Sequence, residues 1–199
     1  MPLELSVERL HSHHHAVQFY GHEASLFTNV AGFLSEGLAE GQPAILIATP
    51  AHTRRVLEHL KERLIDVEAV QRTGGLVVQD ARQTLALFMR DGWPDPNAFE
   101  STVGALVAQV FDGSPGRTLA RAYGEMVNVL WKDGREEAAI QLEILWNRLA
   151  TRYPFAVLCS YSMEHFARKS DLFEEVCRQH THIVPPDMQP GLGTAKRSS

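Results

Sequence analysis

Short apolar runs alternate with longer stretches of helical periodicity along this chain. Residues 16–20, Ala44–Ala48, Leu76–Asp80, 118–123 and 155–159 are runs of the length and character of buried strands. Between the first two, Leu26, Phe27, Val30, Phe33, Leu34 and Leu38 recur at helical spacing and form one apolar stripe. Thr49-Pro50 opens a second helix with Val56, Leu57, Leu60 and Leu64 on one face, and Gly74-Gly75 breaks it. Further helices are predicted over 82–90, 98–111, 127–132, 136–151 and 171–179. Asp91-Gly92-Trp93-Pro94 is a turn-rich connector, and Asp112-Gly113-Ser114-Pro115-Gly116 ends the 98–111 helix.

Apolar strands separated by helices predict an α/β fold: a three-layer sandwich with a mainly parallel central sheet and helices on both faces. In such sheets ligands bind in the crevice outside the carboxyl ends of the strands. That rule selects residues 20–25, 49–52, Asp80, 124–126 and 159–161. The loop between the first strand and its helix is where a phosphate cradle would lie, yet it holds no G-x-x-x-x-G-K-[ST] and no lysine. Binding or sensing is therefore expected, without enzymatic nucleotide hydrolysis and without a cofactor.

Length and charge narrow the choice further. At 199 residues one core suffices, with residues 1–12 as a lead-in, 13–184 as the domain and 185–199 as a Pro/Gly-rich disordered tail. A net charge of −5, with no basic run longer than Arg54-Arg55, argues against direct nucleic-acid binding. No run approaches the roughly 20 apolar residues of a membrane span. Two cysteines, Cys159 and Cys177, make no disulfide framework. A cytoplasmic protein is the expectation.

Several motifs, in this order, resemble a known family: His15-x-x-x-Phe19-Tyr20, Phe33-Leu34-x-x-Gly37-Leu38-x-x-Gly41, Ile45-Leu46-Ile47, Tyr123-Gly124-Glu125-Met126 and Leu158-Cys159-x-Tyr161. Together they are similar to the MEDS domain, the methanogen/methylotroph DcmR sensory domain, across residues 14–184. The resemblance implies a RecA/KaiC-like sandwich without a Walker A loop. It implies a role in sensing small molecules, with hydrocarbon derivatives suggested for some members, in bacterial or archaeal signal transduction and transcriptional regulation. Members are often fused to helix-turn-helix or histidine-kinase modules. With no room here for such an effector, output is expected through a separate signalling partner such as a histidine kinase or regulator, with a homodimer as a further option.

The candidate ligand-binding residues are His15, Phe19, Tyr20, His22, Glu125, Met126, Cys159 and Tyr161. Phe19, Tyr20, Met126, Cys159 and Tyr161 would wall an apolar site, with His15 and Glu125 as polar anchors. Glu23 and Ser25 are expected to cap the first helix. Glu143 sits at the edge of the apolar stripe of Ala139, Leu142 and Trp146, where a carboxylate needs a partner. Two alternatives remain open. One is a degenerate nucleotide-binding module. The other is a metal-binding sensor or enzyme using His15, His180 and His182, extended segments placing the last two on one face, with Cys159 and Glu125 as further ligands. The dense histidines at His11, His13 and His14 are read as a solvated stretch.

Overall fold

The structure is a computed structural model that describes residues 14–112, 119–166 and 170–184. The expected lead-in, the tail, the turn at 113–116, His11 and His13 lie outside the described residues. In chain order the first half comprises β1 (His15–Tyr20), α1 (Glu23–Ala39), β2 (Ala44–Ala48), α2 (Pro50–Glu62), α3 (Val67–Arg72), β3 (Leu76–Asp80) and α4 (Ala81–Phe88). A ribbon of β4 (Met89–Arg90) and β5 (Trp93–Pro94) follows, then α5 (Pro96–Phe99) and α6 (Ala105–Asp112), joined by a π-helical turn over Glu100–Gly104. The remainder is β6 (Ala120–Gly124), α7 (Met126–Lys132), α8 (Glu136–Ala150), β7 (Phe155–Ser162), α9 (Ser170–Arg178) and β8 (His182–Val184).

Among the described residues six parallel strands form the central sheet in the order β3-β2-β6-β7-β1-β8. Side chains alternate between the faces of a strand, and two apolar cores result. Leu46, Ala48, Tyr123, Leu158 and Tyr20 meet the apolar stripes of α1, α2 and α3. Val17, Phe19, Ile45, Ile47, Cys159 and Tyr161 meet α4 to α9, including Trp131 and Trp146. This is the expected three-layer α/β sandwich. Each large side chain so buried contributes roughly 2–3 kcal/mol of transfer free energy.

A buried arginine explains one of the glycines. Arg121 of β6 is 4% exposed, donates to Gln42 Oε1 at 3.0 Å and to the Phe33 carbonyl at 2.8 Å, and ion-pairs with Glu36. A Cβ on Gly37 would stand 2.6 Å from Arg121 Cδ, so α1 and β6 approach this closely only with glycine there. Gly41, at φ +74°, turns the chain out of α1 toward β2.

The structure departs from several sequence expectations. The helix begun at Pro50 stops at Glu62, and Leu64 is 93% exposed at φ +63° instead of buried. Asp66 then caps the separate α3 by accepting from Ala69 N–H, so the chain restarts a helix before Gly74. The helix predicted over 82–90 ends at Phe88 because Met89 and Arg90 pair with Trp93 and Pro94 across the Asp91-Gly92 turn. The last core strand runs past Cys159 to Ser162. The three-residue β8 at the sheet edge was not predicted, since His182-Ile183-Val184 is too short to give a periodic signal. Neither Glu23 nor Ser25 is the N-cap of α1. His22 occupies that position without a side-chain cap, and Ser25 Oγ donates to its carbonyl.

Candidate functional site

Two groups of buried polar side chains lie on opposite faces of the sheet. The first is built on strand alternation. His15, Val17 and Phe19 of β1 face the α8–α9 layer, as do Val157, Cys159 and Tyr161 of the neighbouring β7, in a register that pairs Val17 with Cys159. From above, α8 lowers Glu143, which is completely buried, and one turn later Asn147. His180, in the turn that closes α9, enters from the side with no exposed side-chain surface.

These side chains converge on the Glu143 carboxylate. Oε1 accepts from Tyr161 OH at 2.7 Å and stands 3.4 Å from His180 Nε2. Oε2 accepts from the Cys159 thiol at 3.2 Å and lies 3.1 Å from His15 Nε2. His15 Nε2 and Cys159 Sγ are 3.3 Å apart. One ligand-type atom from each of His15, Glu143, Cys159 and His180 fits within a mutual separation of 4.8 Å. Asn147 Nδ2 donates to the Gln179 carbonyl, which fixes the amide so that His15 Nδ1–H donates to its Oδ1 at 2.9 Å.

Burial pushes the Glu143 carboxyl up, but the His180 charge and the close approach of the two imidazoles outweigh it and hold the group well below the usual carboxylate range. Burial pulls His180 down, and the Glu143 charge more than reverses this. Burial pushes the Cys159 thiol up and the adjacent carboxylate adds to the effect; Tyr161 is raised for the same two reasons. A thiol so protonated is no nucleophile on its own.

The second group sits at the carboxyl ends of β2 and β6, where the connections of adjacent strands run to opposite sides of the sheet, the usual ligand position in open sheets. Glu125 Oε2 accepts from Thr49 N–H at 2.7 Å and from Thr49 Oγ1–H at 3.0 Å, and Oε1 lies 2.8 Å from His52 Nδ1. His52 Nε2 reaches Glu23 at 3.3 Å. Burial lowers the His52 pKa, and its hydrogen bond to Glu125 together with the two carboxylate charges raises it overall above the ordinary 6.5. Nearby, Asn128 Nδ2 donates to Tyr20 OH at 3.0 Å and its Oδ1 accepts from Ser162 N–H. Burial, with the Glu125 charge second, pushes the Tyr20 hydroxyl well up.

A family model, MEDS (methanogen/methylotroph, DcmR sensory domain), matches residues 14–181. The chain belongs to the MEDS family. No curated protein matches it. The family is one of sensory domains, and this MEDS domain therefore has a sensory role at that level of description. Among the described residues no helix is long and apolar enough to cross a membrane.

Within the MEDS domain, the sequence candidates divide. His15, Cys159 and Tyr161 come together, and His180 of the metal alternative joins them. Glu125 and Tyr20 belong instead to the strand-end group, and Glu125 makes its side-chain contacts with Thr49 and His52. Phe19 stacks with Tyr161 and meets Phe166 edge-on, in the core beside the first group. Met126 is fully buried in the same core, whereas Tyr20 faces the opposite one, so these residues do not share one wall. His22 is exposed at the start of α1. His182 is exposed on β8 and meets His14 at 3.3 Å, away from His180. His180 lies in a helical turn and not in extended chain, which is why the two histidines do not share a face. The sequence marks Glu143 as a carboxylate in need of a partner but does not place it in the ligand site, and it does not single out Asn147. Their signal is two polar residues at i and i+4 on a helix face otherwise given to Ala139, Leu142 and Trp146.

Proposed function

We propose that this MEDS domain senses a small species held at the group of His15, Glu143, Cys159, Tyr161 and His180, and passes its signal to a separate partner protein. The observation that carries this reading is the complete burial of the Glu143 carboxyl in an apolar core, with His15, Cys159, Tyr161 and His180 converging on it. A leucine at that position of α8 would fill the core without desolvating a charge, and such replacements are often neutral or stabilising. A binding site gives these polar groups a reason to be there.

The placement also supplies a route for the signal. The group draws on β1, α8, β7 and the turn after α9, so an occupant that pulls His180 inward fixes how α9 and the edge strand β8 seat on the sheet. Ile183 on β8 is half exposed, and an edge strand is a ready surface for pairing with another chain. Signalling requires the occupant to prefer one seating over the other. A nucleotide fits less well, because Glu23 lies in the first turn of α1 and Glu125 already accepts the N–H of Thr49 at the start of α2. A phosphate would meet two carboxylates at the strand ends.

Native mass spectrometry of tag-free protein, prepared without denaturation, tests the reading. The expected spectrum shows an adduct that disappears in Glu143→Gln and persists in Glu125→Gln. An adduct lost only in Glu125→Gln would move the sensing site to the strand ends and overturn the proposal.

A further inference from the structure

The donor and acceptor accounting at the buried group points to its occupant. His15 Nδ1 faces Asn147 Oδ1, and His180 Nδ1 faces the Val176 carbonyl at 2.6 Å. Both oxygens only accept, so each ring carries its proton on Nδ1 and turns Nε2 inward. Inside, each Nε2 finds the Glu143 carboxylate, which also only accepts. His180 Nε2 is fully buried, makes no hydrogen bond and has Glu143 Oε1 at 3.4 Å as its neighbour. Two inward Nε2 atoms, a carboxylate and a thiol thus share one small space, and each imidazole can meet the carboxylate there only by carrying a second proton or by giving its lone pair to a cation. A cation at their centre satisfies all four.

We propose that this site binds a zinc ion through His15 Nε2, His180 Nε2, Cys159 Sγ and a Glu143 oxygen. The inference rests on the sensing site proposed above and names its occupant. Zinc–nitrogen and zinc–oxygen bonds of about 2.0–2.1 Å and a zinc–sulfur bond of about 2.3 Å place tetrahedral ligands about 3.3–3.6 Å apart. The observed separations around Glu143 and Cys159 run from 3.1 to 3.4 Å, and no pair in the set exceeds 4.8 Å. Two imidazoles, a thiolate and a carboxylate form the mixed donor set that zinc accepts in closed four-coordinate sites, whereas magnesium and calcium take oxygen ligands. The outer contacts are in place as well. Asn147 and the Val176 carbonyl orient the imidazoles, and Tyr161 holds Glu143. As the ion binds, the S–H bond of Cys159 and the Nε2–H bond of a protonated His180 break, and both protons leave to solvent.

The ion would tie the turn after α9 to β1, α8 and β7. Zinc level, or displacement of zinc by a competing thiol, would then set the docking of the carboxyl-terminal segment.

Zinc content and cobalt spectroscopy of the full chain test this. In every protein compared, His11, His13 and His14 are replaced by Gln so that the histidine-rich lead-in contributes no metal. The expected result is one zinc per chain and, after exchange for Co2+, a thiolate-to-cobalt charge-transfer band that Cys159→Ser abolishes. Asn147→Ala and Tyr161→Phe, each checked for folding by circular dichroism, should weaken zinc affinity about 10–100-fold. Folded protein that takes up no stoichiometric zinc, or a cobalt spectrum indifferent to Cys159→Ser, overturns the assignment. If zinc is absent but an organic adduct is lost in Glu143→Gln, the zinc assignment falls and the sensing site stands. Absence of zinc together with an adduct indifferent to Glu143→Gln overturns both.

Discussion

Replacing Glu143 by Gln, measured on protein stripped of metal by chelator and dialysis, probes the buried group directly. Four partners surround the carboxylate: Tyr161 at 2.7 Å, Cys159 at 3.2 Å, His15 at 3.1 Å and His180 at 3.4 Å. The amide keeps one acceptor, enough for Tyr161, and loses the charge that draws the other three. Hydrogen bonds to a charged group contribute about 1.5–3 kcal/mol each, and they do not add within one network. Breaking a buried pair usually costs about 3–5 kcal/mol. Here His180 limits the cost, since without Glu143 its burial favours the neutral ring, which can shed its proton near neutral pH. We therefore expect a loss of about 3 kcal/mol in urea unfolding, or roughly 6–12 °C in melting temperature for a domain of this size. In a double-mutant cycle with His180→Gln, the two losses should fall short of additivity by about 1–3 kcal/mol. A Glu143→Gln loss below about 1 kcal/mol, or additive losses in the cycle, would refute the reasoning, because either means the carboxylate and imidazole do not hold each other.

Other expectations follow from neighbouring contacts. The raised pKa of His52 means the folded state binds its proton more tightly than the unfolded state; the stabilisation is full below the ordinary 6.5 and is lost as pH rises through the folded value. His52→Gln should therefore flatten the fall in stability above pH 6.5, and an unchanged urea midpoint profile would count against the Glu125–His52–Glu23 chain. Gly37→Ala places a methyl 2.6 Å from Arg121 Cδ and should cost about 1–3 kcal/mol of overpacking in thermal unfolding, a cost that Arg121→Ala should largely absorb. Asp80 accepts from Gln83 N–H at 2.8 Å as the N-cap of α4, so Asp80→Ala should lower stability by about 1 kcal/mol. No change on that substitution would show the cap to be replaced by water.

The sheet was legible because a strand buried on both faces must be apolar throughout, as Ala44–Ala48 is, and the helices because their stripes repeat over several turns. The breaks between α2 and α3 were not, since one left-handed residue at Leu64 ends a pattern that the apolar spacing continues. The site was half legible. Cys159 stood out on a strand candidate, and His15 and Tyr161 just beside one, yet their meeting depends on β7 lying beside β1, which no local pattern encodes. Glu125 seemed a natural partner because it ends a strand, but the alternation of β6 and the N–H of Thr49 draw it to other company. Glu143 carried its signal openly, as a charge on an apolar face. What the spacing lacked was the third dimension that puts His180 opposite it.

Amide hydrogen exchange over residues 181–184 tests the central claim, that the buried group governs how the carboxyl-terminal segment seats on the sheet. In the wild type Thr181 N–H donates to the His15 carbonyl at 2.8 Å and β8 pairs with β1. With Glu143→Gln these amides should exchange at least about 10-fold faster relative to those of β2, corresponding to about 1.4 kcal/mol of local loosening. Equal acceleration in both strands, or none in β8, would contradict it.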